Sequence, residues 1–206
     1  MDMKLDIWIN AFLALFAILN PIGNIPIYAE MTEDLDKKSR FAVFNTAVLT
    51  GLITLAVFTF SGRWVMSRVF QIDILEFRIA GGILLTVLSV KHIVFSEKKE
   101  THIHDGEYTK QQAMEMGIVP MAVPLLVGPG SIVTGILLLD RDGILVTTTV
   151  LIAVFAVCWI MFQLTPWISK IMGKIGRMVI SRILWIFIGA IGVHFLLSGI
   201  RETFGI

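Results

Sequence analysis

Leu19-Asn20-Pro21-Ile22-Gly23-Asn24-Ile25-Pro26 lies inside an apolar run that extends from about residue 7 to about residue 30. The run is long enough to be a membrane span, since roughly 20 mainly apolar residues cross the hydrocarbon core as a helix. The quoted stretch prevents that helix from being continuous. Proline removes a backbone donor and clashes with the preceding turn, at a cost of ~3 kcal/mol or more in a helix interior. Glycine adds conformational freedom, and asparagine can bond the backbone groups so released. Pro124-Leu125-Leu126-Val127-Gly128-Pro129-Gly130-Ser131 does the same to a second run, about 113–139. Both helices should unwind well inside the bilayer.

The rest of the chain reads as more membrane. Six apolar blocks are long enough to span: about 7–30, 41–61, 77–95, 113–139, 144–166 and 183–200. Of the 206 residues, 56% are hydrophobic and 16% charged, against ~25% charged in a soluble domain. Mean hydropathy is +0.82. These observations predict an all-α membrane protein of six transmembrane helices, forming a single domain over 1–206. A net charge of +1 suggests no nucleic-acid partner. The one cysteine, Cys158, falls inside the fifth block, so it reads as a packing residue and no disulfide framework is expected. The N-terminus lacks a basic n-region and a small-residue cleavage site. It reads as a retained first span rather than a signal peptide.

The two halves repeat each other. Pro21 and Pro129 are 108 residues apart, as are Gly81 and Gly189. Around the second pair, Ile79-Ala80-Gly81-Gly82-Ile83 aligns with Phe187-Ile188-Gly189-Ala190-Ile191. The pattern predicts two three-span repeats, about 1–95 and 113–206, joined by a polar cytoplasmic linker at 96–112. Three is odd, so the second repeat must be inverted, an arrangement found in secondary transporters. Six spans put Lys4, Arg63, Arg68, Arg141 and Arg201 on one side of the membrane. Lys37, Lys38, Arg40, Lys98, Lys99, Lys110, Lys170, Lys174, Arg177 and Arg182 lie on the other. The second side is then cytoplasmic, and both termini face outward. His102, His104 and Asp105 in the linker read as solvated loop residues and not as a metal site, because no further ligand stands at a suitable spacing.

Unwound backbone survives in a membrane only where it is buried in protein or lines a watery cavity. Paired breaks in corresponding spans therefore point to a binding site. The half-helices that resume near Ile25 and Ile132 expose unpaired N–H groups and positive dipole ends, with Asn24 and Ser131 at the expected N-cap positions. Such ends suit a carboxylate. Carbonyls released near Leu19, Asn20 and Val127 suit an ammonium group. No Asp, Glu, Lys or Arg lies in the middle of a span; Glu76, Arg78, Lys91, Glu115 and Asp140 fall near span ends, where they can snorkel. A site without fixed charge fits a zwitterionic amino acid better than a metal cation, lysine or an organic cation. His194 is the one titratable group deep in a span, either a proton carrier or a hydrogen-bonding bridge between helices. Asn45 and Thr46 either line the pocket or join helices. His92 caps a span. No Ser/His pair, paired carboxylate or His/Glu metal motif occurs in the spans, so an intramembrane enzyme is not expected.

At the two breaks the chain resembles a known family. Asn20-Pro21-Ile22-Gly23-Asn24-Ile25-Pro26, with Val123-Pro124-Leu125-Leu126-Val127-Gly128-Pro129-Gly130 and Ala80-Gly81-Gly82, is similar to the MarC family of bacterial and archaeal inner-membrane proteins. That family is also described as small neutral amino acid transporters. The resemblance implies a secondary transporter of glycine, alanine and similar amino acids, driven by a proton or sodium gradient, with no other cofactor. It implies a site made of Asn20, Pro21, Gly23 and Asn24 with Gly128, Pro129, Gly130 and Ser131. Asn20 stands where the family more often has Asp, which removes a carboxylate from the first break. Two alternatives stay open on the residues alone. One is an exporter of another small solute, the other a non-transporting regulatory or partner-binding membrane protein.

Overall fold

The computed structural model describes residues 2–94 and 110–205. The chain runs α1 (Asp2–Leu19), α2 (Pro21–Met31), α3 (Lys37–Trp64), a π-helical turn (Val65–Phe70), α4 (Ile74–Val94), α5 (Lys110–Met116), an irregular π-helical coil (Gly117–Leu126), α6 (Pro129–Gln163) and α7 (Thr165–Phe204). Among the described residues there is no strand. Among the described residues five helical stretches are long and apolar enough to cross a membrane: Leu5–Met31, Lys37–Val69, Leu75–Val94, Pro129–Gln163 and Met178–Phe204. The all-helical membrane architecture read from composition is therefore the observed one. Most of the linker, with His102, His104 and Asp105, lies outside the described residues.

Two elements each hold two helices joined at a non-helical glycine. α6 has 35 residues and is interrupted at Gly143, whose φ of 79° is a conformation that favours glycine. The turn expected at 140–143 thus coincides with the non-helical Gly143, where two helices meet. α7 has 40 residues, with a similar interruption at Gly173 (φ 64°). Residues 167–182, read from sequence as lying outside a span, are helical. Trp167, Ile171, Ile175 and Met178 recur at helical spacing among basic residues, an amphipathic pattern that a block average of hydropathy does not detect.

Packing is close and depends on small residues, as is usual where lipid supplies no hydrophobic drive between helices. α4 lies against α7, and α3 against α6. A Cβ on Gly82 would sit 2.6 Å from the Gly192 carbonyl oxygen, so α4 and α7 touch backbone to backbone. Ser89 donates to the Trp185 carbonyl at the same crossing. Tyr28, Phe44 and Phe162 form a fully buried aromatic cluster, with Tyr28 and Phe162 ring centroids 4.8 Å apart. The Tyr28 hydroxyl donates to the Met121 carbonyl, which pins α2 to the irregular coil. On the outside of α3, Leu49, Ile53, Val57 and Phe60 are exposed in one stripe, the face such a helix turns to lipid.

Candidate functional site

The first break is a single residue. Asn20 adopts the left-handed conformation (φ 46°, ψ 52°), which asparagine visits more readily than most residues. Its N–H still reaches the Phe16 carbonyl at 3.1 Å, and its own carbonyl accepts from Asn24 N–H at 3.2 Å. Its side-chain Oδ1 accepts from Gly23 N–H at 3.2 Å. Asn20 is therefore the N-cap of α2, and Pro21 is the first helical residue, where its missing N–H costs nothing. Gly23 is needed here because a Cβ would lie 2.4 Å from Asn20 Nδ2.

The second break is longer. Val127 and Gly128 are extended, with φ of −114° and −116°. Val119 and Val123 are also non-helical, since each precedes a proline that disfavours the α region. Gly128 is the N-cap of α6 and Pro129 its first residue. The Ser131 hydroxyl accepts from Gly128 N–H at 3.1 Å and donates to the Gly128 carbonyl at 2.8 Å. Ile132 N–H makes the first intrahelical bond of α6, to the Gly128 carbonyl at 3.1 Å. This leaves the N–H groups of Gly130 and Ser131 as first-turn donors without an intrahelical partner.

These caps correct one expectation. The half-helices resume at Pro21 and Pro129, not near Ile25 and Ile132, and Asn24 and Ser131 sit in the first turns rather than at the N-caps. The reason is that proline is tolerated at a helix start, so each Pro opens a helix instead of prolonging the break.

Backbone accounting explains what Asn24 does instead. Pro21 has no N–H, so the Ala17 carbonyl lacks its usual i+4 donor. Gly23 N–H is taken by Asn20, so the Leu19 carbonyl lacks its donor as well. Pro129 likewise deprives the Leu125 carbonyl. Asn24, buried at 3% exposure, supplies two of these three missing donors, since Nδ2 donates to the Leu19 carbonyl at 3.2 Å and to the Leu125 carbonyl at 3.3 Å. Two carbonyl partners fix the orientation of the amide. Its Oδ1 makes no hydrogen bond to the described residues. One side chain thus joins the two breaks, 101 residues apart in sequence.

A cavity of about 310 Å³ lies at this junction. Of the site residues proposed from sequence, Asn20, Asn24, Gly128, Gly130 and Ser131 line it, while Pro21, Gly23 and Pro129 do not and act on its shape. Gly81 lets α4 press on the start of α6, as a Cβ there would fall 1.6 Å from Pro129 Cγ. Sequence reasoning missed the apolar wall, made of Ala17, Ile18, Leu85, Ile188, Ile191 and Phe195. No signal in one sequence separates these from other apolar span residues. No Asp, Glu, Lys or Arg is among the lining residues, and His194 is the only titratable one.

The remaining polar candidates hold the frame. Asn45 Oδ1 accepts from Trp159 Nε1 at 2.7 Å and Gln163 Nε2 at 3.3 Å, tying α3 to α6 away from the cavity. His92 stacks on Trp185 with centroids 4.0 Å apart. Charged groups meet near helix ends: Arg63 with Asp140 at 2.6 Å and Arg78 with Glu202 at 2.8 Å. Among the described residues no group of His, Cys, Asp and Glu could hold a metal ion.

An integral membrane protein with several apolar helices, two of them interrupted and meeting around one uncharged cavity, is the class that fold and site define. The model of the MarC family of integral membrane proteins matches residues 5–204, and the chain belongs to that family. The chain is 33% identical to the Escherichia coli UPF0056 membrane protein YhcE, over 96% of this chain and 94% of the relative. It is 30% identical to the Methanocaldococcus jannaschii UPF0056 membrane protein MJ1677 (97% and 98%) and 29% identical to the Bacillus subtilis UPF0056 membrane protein YvbG (98% and 98%). No solved structure matches the chain.

Proposed function

We propose that the protein is a secondary transporter of small neutral amino acids, glycine and alanine first among them, working by alternating access in a prokaryotic plasma membrane. The observation that carries this reading is the uncharged cavity at the junction of two interrupted helices, bridged by Asn24. Its polar groups complement a zwitterion. The first-turn N–H groups of Gly130 and Ser131, at the positive end of α6, suit a carboxylate. The Ala17 carbonyl and Asn24 Oδ1 suit an ammonium. Ile18, Leu85, Ile188 and Phe195 leave an apolar wall for a small side chain. A volume of 310 Å³ is at the lower end of the ~300–1,000 Å³ usual for small-molecule pockets.

In this reading α6 supplies two spans, 129–142 preceded by the irregular coil and 144–163, turning at Gly143, so that the spans number six. The two halves are inverted repeats. The N-caps Asn20 and Gly128 support this, because they keep the 108-residue offset of the two prolines. Both termini then face outward, and rocking of one repeat against the other exposes the cavity to each side in turn. Bacterial and archaeal relatives support the plasma-membrane location.

The test is purified protein in liposomes, offered labelled glycine and alanine with and without an inward proton or sodium gradient. Gradient-dependent accumulation is the expected result. Correctly inserted protein that moves neither amino acid would overturn the proposal.

A further inference from the structure

We infer that His194 is the proton-binding site that couples transport to a pH gradient, an assignment that rests on the transporter reading above. His194 lies in the middle of the apolar stretch Met178–Phe204, where it lines the cavity and is itself exposed, beside the buried Phe195. Its ring meets Phe195 at 6.2 Å between centroids and makes no hydrogen bond to the described residues. An imidazole at mid-membrane depth without a protein partner is expensive unless water or ligand reaches it, and the cavity is where that can occur.

The charged groups on the packed elements lie outside the cavity lining, with the Arg78 guanidinium 6.0 Å from the centroid of the Phe195 ring. On α4, Arg78 is paired with Glu202 of α7 at 2.8 Å, Glu76 accepts the Asp73 N–H at 2.8 Å, and Lys91 and His92 lie in the last turn. On α6, Asp140 is paired with Arg63 and Asp142 with Arg141. Glu30 is in the last turn of α2, Asp6 in the early turns of α1, and Arg201 in the last turn of α7. None of these lines the cavity, whose other polar side chains are Asn20, Asn24 and Ser131. A proton entering the cavity therefore meets one titratable side chain among the lining residues, His194.

The step balances simply. An imidazole nitrogen takes one proton from the outer solution, and the cavity carries one positive charge while the zwitterion is bound. After reorientation the proton and the zwitterion leave on the other side, and neutral His194 returns. One charge moves inward per amino acid.

The experiment compares wild type with His194→Gln and His194→Asn in liposomes, after size-exclusion chromatography confirms that each is monodisperse. Exchange of external labelled for internal unlabelled glycine needs no net proton movement, whereas accumulation does. With one proton per glycine, a gradient of one pH unit sustains up to about tenfold accumulation, and a potential of ~100 mV, negative inside, adds up to about fiftyfold. Wild type should accumulate glycine under either gradient. Both variants should keep exchanging and should stop at equilibrium under either one. Accumulation by a variant at the wild-type level would overturn the assignment. So would wild-type accumulation that follows only a sodium gradient, although the transporter reading would then stand. Loss of exchange in both monodisperse variants would place His194 in substrate binding instead and also overturn it. Wild type without exchange or accumulation of glycine or alanine would remove both readings together.

Discussion

Replacing Asn24 with Leu tests whether one side chain holds the two interrupted helices together. Leu has the same branched skeleton, is bulkier than Asn, and removes both Nδ2 bonds, to the Leu19 and Leu125 carbonyls at 3.2 and 3.3 Å. An unsatisfied buried polar group costs ~1–3 kcal/mol, and the Leu19 bond is buried. The Leu125 bond is only part-buried, at the cavity wall, so its loss should be nearer the ~0.6 kcal/mol average for hydrogen bonds between membrane helices. Together the substitution should lower stability by about 2–4 kcal/mol. Asn24→Ala leaves room for water to bridge the carbonyls and should lose less. Unfolding by SDS titrated into mixed micelles, followed by fluorescence of the five tryptophans, measures both. Glycine uptake should be lost in Asn24→Leu while insertion persists. Unfolding of Asn24→Leu at the wild-type SDS fraction, with normal uptake, would refute the bookkeeping on which the site is built.

Three further outcomes are expected. Gly130→Ala places a Cβ 2.3 Å from Phe195 Cζ and should cost ~1–3 kcal/mol by overpacking; adding Phe195→Leu should restore part of that, and no restoration would mean the clash is not the cause. Asp36 caps α3 by accepting from Lys38 and Ser39 N–H at 3.0 and 3.1 Å, and hydrogen bonds from Ser39 and then Lys38 hold its carboxyl below the usual range. Its stabilising contribution is complete above the ordinary value of ~3.9 and is lost as pH falls through the lowered one, so Asp36→Asn, which still caps, should flatten the decline in thermal midpoint below about pH 4. Arg63→Ala should change stability by less than ~1 kcal/mol at physiological salt, because its ion pair with Asp140 is 64% and 44% exposed and such pairs contribute little; a larger loss in the same micelle assay would show that the pair closes the α3–α6 end.

Much of this arrangement was legible in the sequence because proline and glycine act locally. Pro21 and Pro129 fix where a helix cannot continue, and a membrane forbids leaving the released groups unpaired. That logic located both breaks and five of the residues that line the cavity. It misplaced the caps, since the same proline that stops one helix is well suited to start the next. It also missed what depends on tertiary contact. Leu85, Ile188 and Phe195 become a cavity wall only because Gly82 and Gly192 let α4 and α7 meet closely, and hydropathy treats them like the lipid-facing Leu49 or Ile53. The helical stretch before Met178 escaped for the opposite reason: its pattern is periodic, but its average is too polar to resemble a span.

The two breaks differ in how they satisfy their own backbone, and the difference bears on how the protein would move. Ser131 both donates to and accepts from Gly128, so the second break heals its N-cap within four residues. The first break cannot, because the Asn20 side chain takes the Gly23 N–H and leaves the Leu19 carbonyl in need. Asn24 meets that need inside its own segment with one N–H and reaches across to Leu125 with the other. A motion that parts Asn24 from Leu125 therefore leaves the Leu19 bond in place and breaks only one of the two Asn24 bonds, whereas parting α2 from the irregular coil altogether would also break the Tyr28–Met121 bond. A single such bond between membrane helices is worth about 0.6 and at most ~1.7 kcal/mol, small enough to open on the timescale of transport. Leu125 lines the cavity, so in the proposed cycle the ammonium of a bound amino acid would replace the donor that its carbonyl loses. In the cycle we propose, substrate would then stabilise the opened junction directly, and an empty site would tend to keep it shut.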